Sequence, residues 1–167
     1  MTMTSTQIAR AISDRFGSRV LASLPDDKHP RVHVNAADWQ ALAEFLYGEP
    51  SLKFDWLQCL SGIDYVADGK LCVCYDLWSF DHRHTFAVKA FCARDNPRLP
   101  SVAHLWSAAD WQEREAYDMF GIVFDGHPDL RRILMPDAFT SYPLRKDYPL
   151  RGRGERHNFP IITRAES

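Results

Sequence analysis

The chain has 167 residues and a mass of 19.2 kDa, a size typical of one domain that can fold without disulfides or a metal. Hydrophobic residues make up 46% and charged residues 25%, and the formal net charge of −2 excludes a generally basic nucleic-acid binder. The charge is unevenly divided, because residues 1–130 carry a net −6 and residues 131–164 carry a net +5. We therefore expect an acidic folded body followed by a basic tail.

The same sequence indicates a compartment. No apolar run reaches the roughly 20 residues that a membrane-spanning helix needs, and the first residues lack the apolar core of a secretory signal. The four cysteines lie in apolar surroundings, as reduced thiols do. We expect a cytoplasmic protein that contacts membranes only through a partner.

The first fifty residues predict two helices and a short strand. Apolar residues at helical spacing over 8–16 predict the first helix, which Gly17 can end, and two valines over 32–34 predict the strand. The second helix is predicted to begin after a cap at Asn35 and to end at Gly48. Its apolar stripe consists of Trp39, Leu42, Phe45 and Leu46.

The next region changes to a β pattern. Residues 54–66, 71–80 and 84–92 are three aromatic and β-branched segments separated by turn residues. Asp68-Gly69 is a hairpin signal between the first two. Three consecutive strands joined by short turns predict an antiparallel meander over about residues 52–93.

A third helix is predicted over about residues 107–120, and the residues after it differ in composition and pattern. Half of the ten prolines lie beyond Gly126, where no helical or strand period is sustained. The predicted fold is α+β: a two-layer domain whose largely antiparallel or mixed sheet packs against about three helices. We assign residues 1–126 to this domain and residues 127–167 to an extended basic tail that binds partners.

The sequence contains no convincing motif for catalysis, cofactor binding or metal binding. Cys72 and Cys74 would share one face of a strand, where packing is the simpler interpretation, and the cysteine spacings suit neither zinc nor an iron–sulfur cluster. His82 and His84 could bind a metal from a turn, but no acidic or thiol residue is placed to complete a site with them, and an exposed polar turn is the simpler interpretation. Ser61 is only a weak candidate for a catalytic nucleophile. We predict no catalytic, cofactor-binding or metal-binding residues on this chain.

The charged third helix is the most informative element. Glu113 and Glu115 stand about 200° apart around a helix, so they cannot share a substrate, and Arg114 and Asp118 are placed to pair. A run of charges on one helix is ordinarily a solvated face. The residues after this helix favour a functional motif over a solvated face. The helix ends in an aromatic residue and a glycine, and His127-Pro128 and a run of basic and apolar residues follow.

At these residues the chain closely resembles the C or 30 kDa subunit of proton-translocating NADH–quinone oxidoreductase, respiratory complex I. Every fixed position of that family's signature is matched, by Glu113, Arg114, Glu115, Asp118, Met119, Phe120, His127, Arg131, Ile133 and Leu134. Residues 143–150, with Arg145, Lys146, Asp147 and Tyr148, resemble the family's second block, and Ile63-Asp64-Tyr65 resembles a weaker one.

The resemblance implies a non-catalytic subunit of the peripheral arm, on the cytoplasmic side of the inner membrane. FMN, iron–sulfur clusters and quinone would then be held by other subunits, and the partners would be the quinone-site (D) and cluster-bearing (B and I) subunits. Arg131, Arg132, Arg145 and Lys146 become candidates for binding partner carboxylates. The alternatives are the homologous subunit of a membrane-bound [NiFe]-hydrogenase and a free-standing module whose tail binds RNA or anionic lipid.

Overall fold

The computed structural model describes residues 2–155, which form three α-helices, a five-stranded sheet and a two-stranded sheet. The helices are α1 (Ser5–Phe16), α2 (Ala36–Gly48) and α3 (Ser107–Phe120). The strands are β1 (Val20–Leu24), β2 (Arg31–Asn35), β3 (Trp56–Tyr65), β4 (Lys70–Ser79), β5 (His84–Ala93), β6 (Arg98–Pro100) and β7 (Val123–Asp125).

The main sheet is mixed, with strand order β1-β2-β5-β4-β3. Strands β3, β4 and β5 form the antiparallel meander, and β2 joins it by pairing in parallel with β5. The short strands β6 and β7 pair in parallel and lead the chain into and out of α3. Strand β3 is therefore one edge of the main sheet, and α3 packs beside it.

The core lies between the helices and one face of this sheet. Alternate residues of β4, including Tyr75, are buried on the helix side. The Trp39 ring of α2 stacks on Tyr75 with 4.0 Å between centroids and lies 6.5 Å from the ring of Trp106. These large aromatic side chains join the sheet, α2 and the start of α3 into one core.

The α+β fold, the three helices and the meander are confirmed. Strands β1, β6 and β7 were not predicted from the sequence, because they are short and lack a sustained alternation of apolar residues. Asn35 occupies the cap position of α2, but its side chain makes no capping hydrogen bond. The helix with a full capping box is α1, where Thr4 and Gln7 bond each other's backbone N–H groups.

The histidines of the β4–β5 turn bond to the backbone. The Nε2 atoms of His82 and His84 lie 2.8 Å and 2.7 Å from the carbonyl oxygens of Pro50 and Leu52. Among residues 2–155, no helix is both long and apolar enough to cross a membrane.

Candidate functional site

The signature helix buries most of its charges. In α3, Glu113 and Asp118 are fully buried and Arg114 is nearly so, whereas Glu115 is exposed. The ordinary interpretation of this helix as a solvated charged face is therefore wrong. Burying a charge is costly unless it is paired and hydrogen-bonded, so the partners of these side chains define the site.

Glu113 binds the segment that leads into α3. Its carboxylate accepts a hydrogen bond from Ser101 Oγ at 2.6 Å and another from the backbone N–H of Val102 at 2.8 Å. Burial raises the pKa of Glu113 to about 7, although these two hydrogen bonds oppose the shift. Glu113 therefore carries a proton in a substantial fraction of molecules near neutral pH.

His127 lies beside Glu113 and fixes the start of the tail. Its side chain is fully buried, and Nε2 lies 3.0 Å from the carbonyl oxygen of Asp110 and 4.0 Å from the Glu113 carboxylate. The backbone N–H of Asp129 donates to Nδ1 at 3.0 Å. A neutral ring with its proton on Nε2 satisfies both contacts, which hold the chain as it leaves β7.

Asp118 is the anchor of the next segment. Its Oδ2 accepts hydrogen bonds from the backbone N–H groups of Ile133, Leu134 and Met135, at 2.7–3.0 Å. Its Oδ1 accepts one from Arg132 at 2.7 Å. Burial alone would raise the pKa of Asp118, but the hydrogen bonds outweigh burial and hold the pKa below its ordinary value.

The predicted pair between Arg114 and Asp118 is not formed. Arg114 instead lies over the Trp111 ring, 4.7 Å from its centroid, and donates to the carbonyl oxygen of Arg131. Asp118 pairs with Arg132, which comes from the tail. Arg132 also donates to two backbone carbonyls and lies over two aromatic rings, so the tail supplies a better-satisfied partner than the adjacent helical turn does.

The tail also caps the end of α3. The backbone N–H of Leu144 donates to the carbonyl of Met119 at 3.1 Å, and Arg145 Nε donates to the carbonyl of Phe120 at 2.7 Å. These carbonyls have no partner inside the helix, and a cation at this end is favoured by the helix dipole. Gly121 follows with φ +74°, and a Cβ there would lie 2.5 Å from the Tyr142 ring.

A second ion-pair cluster holds the tail against the sheet. Arg94 donates to both carboxylate oxygens of Asp64 on β3, at 2.9 Å and 3.1 Å, and to Asp147 at 2.7 Å. Asp64 is buried and also accepts the backbone N–H of Lys146 at 2.9 Å. The Arg94 hydrogen bond lowers the pKa of Asp64 and of Asp147. The weak I-D-Y block and the second block of the resemblance therefore meet in space.

The remaining predicted residues lie on the outer side of the tail. Arg131 is exposed and paired with Asp129 at 3.0 Å, and the Lys146 side chain is exposed. The Tyr148 ring lies 6.0 Å from that of Phe139.

Residues 127–155 contain no helix or strand longer than a turn, but hydrogen bonds hold them against the domain of the same chain. Residues 156–167 of the predicted tail lie outside the described residues.

Arg132 and Arg145, which were predicted as candidates for binding partner carboxylates, make hydrogen bonds within the chain. Ser101 and Arg94 were not predicted as site residues. Ser101 is 12 residues from its partner Glu113 and Arg94 is 30 residues from its partner Asp64, and such separations leave no local pattern in the sequence. In residues 2–155 no three His, Cys, Asp or Glu side chains are grouped to hold a metal ion. The hydrogen bonds and ion pairs of this arrangement hold residues 127–155 against α3 and β3.

Comparison with known proteins identifies the family. The chain matches the family described as the respiratory-chain NADH dehydrogenase 30 Kd subunit over residues 32–154. The chain belongs to this family. The NADH-quinone oxidoreductase C subunit of Chloroherpeton thalassium is 50% identical over 141 residues, covering 83% of this chain and 58% of the relative. The C subunit of Chlorobium phaeobacteroides is 46% identical, covering 82% of this chain and 84% of the relative.

Two solved structures share this fold. The trypsin-resistant fragment (1-134) of Nqo5 is 28% identical, with a TM-score of 0.60, covering 74% of this chain and 99% of the fragment. A chain of the archaeal membrane-bound sulfane sulfur reductase has a TM-score of 0.75 at 20% identity, covering 97% and 95% of the two chains. At that identity the second likeness shows a shared fold. The present chain spans less than two thirds of the length of the Chloroherpeton relative.

Proposed function

We propose that this chain is the 30 kDa subunit of an NADH–quinone oxidoreductase and that it supports assembly without carrying a catalytic group. The complex would pass electrons from NADH through FMN and iron–sulfur clusters to quinone, coupled to proton translocation. Those groups would be held by other subunits. This chain would lie at the cytoplasmic side of the inner membrane and associate with the membrane through the complex.

The observation that carries the proposal is that residues of the signature region hold other segments of the same chain in place. Glu113, Asp118, His127 and Arg132 bind the entering segment and the tail, so the signature side chains act on the fold rather than on a substrate. Such an arrangement shapes one continuous surface from α3, β3 and residues 127–155. A surface built in this way is suited to binding neighbouring subunits.

The outer side of the tail supports partner binding. Leu134, Leu144 and Leu150 are 60%, 53% and 104% exposed, so the tail turns leucines outward while Arg132 and Arg145 bind inward. Exposed apolar side chains on one segment are typical of an interface. We propose that the quinone-site and cluster-bearing subunits contact this side, and that their carboxylates bind Lys146 and compete with Asp129 for the exposed Arg131.

The fold alone does not select the electron donor, because a subunit of a sulfane sulfur reductase shares it. The relatives from Chloroherpeton, Chlorobium and Acidithiobacillus, at 50%, 46% and 38% identity, are C subunits of NADH-quinone oxidoreductases, and they favour NADH over the hydrogenase alternative.

The test is purification from native membranes through a tag on this chain. We expect flavin, iron–sulfur absorbance and NADH-oxidising activity to elute with the tagged chain, and the chain purified alone to bind no NADH. Elution with a nickel-containing partner, or stoichiometric NADH binding by the isolated chain, would contradict the proposal.

A further inference from the structure

A cleft opens beside the edge strand β3, where the domain and the docked tail meet. Its volume is about 190 Å³, and its walls come from β3, α3 and the tail. The apolar lining side chains are Leu60, Ala116, Met119, Phe120 and Leu144. A Cβ at Gly62 would lie 2.4 Å from the Phe120 ring, so the cleft floor is closely packed. Small-molecule sites usually have about 300–1,000 Å³, so this cleft suits one long side chain rather than a cofactor.

One carboxylate stands at this cleft without a partner. Glu115 lines it and is exposed, and no hydrogen bond or ion pair is formed by its side chain within residues 2–155. By contrast, the acidic side chains of Glu113 and Asp118 on the same helix are fully satisfied by the fold. Glu115 is therefore the acid of the signature that the fold of this chain does not use.

We propose that this cleft receives an arginine side chain of another subunit, an inference that rests on the proposed function. The arginine's apolar stem would pack along Ala116, Met119 and Leu144, and its guanidinium would bind Glu115. Arginine fits better than lysine, because its planar fork binds a carboxylate with two hydrogen bonds and it is more weakly hydrated. An anchor of this kind, half apolar and half charged, is typical of the residues that dominate binding energy at interfaces.

The first test measures retention of tagged variants in the complex purified from membranes and washed with increasing salt. We expect Glu115→Arg to reduce the retained chain at least tenfold and Glu115→Gln to reduce it less. Glu44→Arg is the matched control, since Glu44 is an exposed glutamate on α2 that accepts one side-chain hydrogen bond, from Gln40. Equal retention of Glu115→Arg and Glu44→Arg would overturn the proposal. The urea-unfolding midpoint of each purified full chain must match the unaltered protein, which shows that the loss is not a loss of folding.

The second test places a photoreactive amino acid at Ser61, which lines the same cleft and is exposed. Irradiation of the assembled complex should join this position to a peptide of another subunit that contains an arginine. A fully assembled complex that yields no adduct between subunits, or an adduct only to a second copy of this chain, overturns the inference and leaves the proposed function intact. Failure of the unaltered chain to purify with the complex would overturn both.

Discussion

At the scale of single residues, the domain holds its signature charges in two contrasting environments. Glu113 is buried with neutral donors and has a raised pKa, whereas Asp118 is buried with a guanidinium and three backbone N–H groups and has a lowered pKa. Carboxylates of one helix thus differ in protonation because of what surrounds them. Each difference has a measurable consequence for stability.

Glu113 should make the domain less stable as the pH rises. Its pKa is about 7 in the folded protein against an ordinary value of 4.5, so the folded state holds the proton more tightly. The stabilisation is complete below pH 4.5 and is lost as the pH rises to about 7, a change of about 3 kcal/mol. Glu113→Gln mimics the protonated form and should be more stable than the unaltered protein at pH 8 but not at pH 5, as measured by urea unfolding.

The control for this prediction is Glu115→Gln, which makes the same substitution at an exposed position of the same helix. If Glu113→Gln and the unaltered protein lose stability in parallel between pH 5 and pH 8, the titrating group is not Glu113.

Asp118 should be among the most sensitive positions in the protein. Asp118→Asn removes the charge that Arg132 and three backbone N–H groups bind, and it leaves a guanidinium with little exposure unpaired. Breaking a buried pair in this way costs about 3–5 kcal/mol. Asp129→Asn, which breaks the exposed pair with Arg131, should cost no more than about 1 kcal/mol. Comparable losses of unfolding free energy in both variants would show that Asp118 is not the anchor.

At the scale of elements, helix α3 is the junction at which the sheet and the tail meet. Its last turn contacts β3 through Phe120 and Gly62, and its terminal carbonyls bind Leu144 and Arg145 of the tail. The absence of a side chain at Gly62 permits the close approach of the helix to the strand. A side chain at this position should therefore push the two elements apart.

Gly62→Ala should destabilise the protein by about 1–3 kcal/mol, because a Cβ would overlap the Phe120 ring. Gly48→Ala is the matched control, since nothing lies within 4 Å of a Cβ at the end of α2. Urea unfolding with an unchanged m-value would report the difference as one of stability. A Gly62→Ala variant as stable as Gly48→Ala would show that α3 and β3 leave room for a methyl group between them.

At the scale of the whole molecule, local sequence patterns predicted the architecture and distant pairs decided the site. The three meander strands carry long aromatic and β-branched segments, so their pattern was sufficient, whereas β1 has five residues whose apolar and polar types do not alternate. The pairing of Asp118 with Arg132 was not predictable, because spacing on the helix favoured Arg114. The split into an acidic body and a basic tail was visible in the sequence. Only the structure shows that Arg132 of the tail pairs with the carboxylate of Asp118, whereas Arg145 donates to the backbone carbonyl of Phe120.

The proposal that this chain supports assembly and carries no catalytic group is tested most directly by separating the amount of complex from its turnover. Lys146→Glu combined with Arg131→Glu reverses two exposed cations of the tail, and Lys28→Glu reverses an exposed cation of the body as a control. We predict that the double variant lowers the amount of assembled complex in membranes, while NADH–quinone turnover per assembled complex stays equal to that of the unaltered protein. Full assembly with reduced turnover per complex would contradict the proposal.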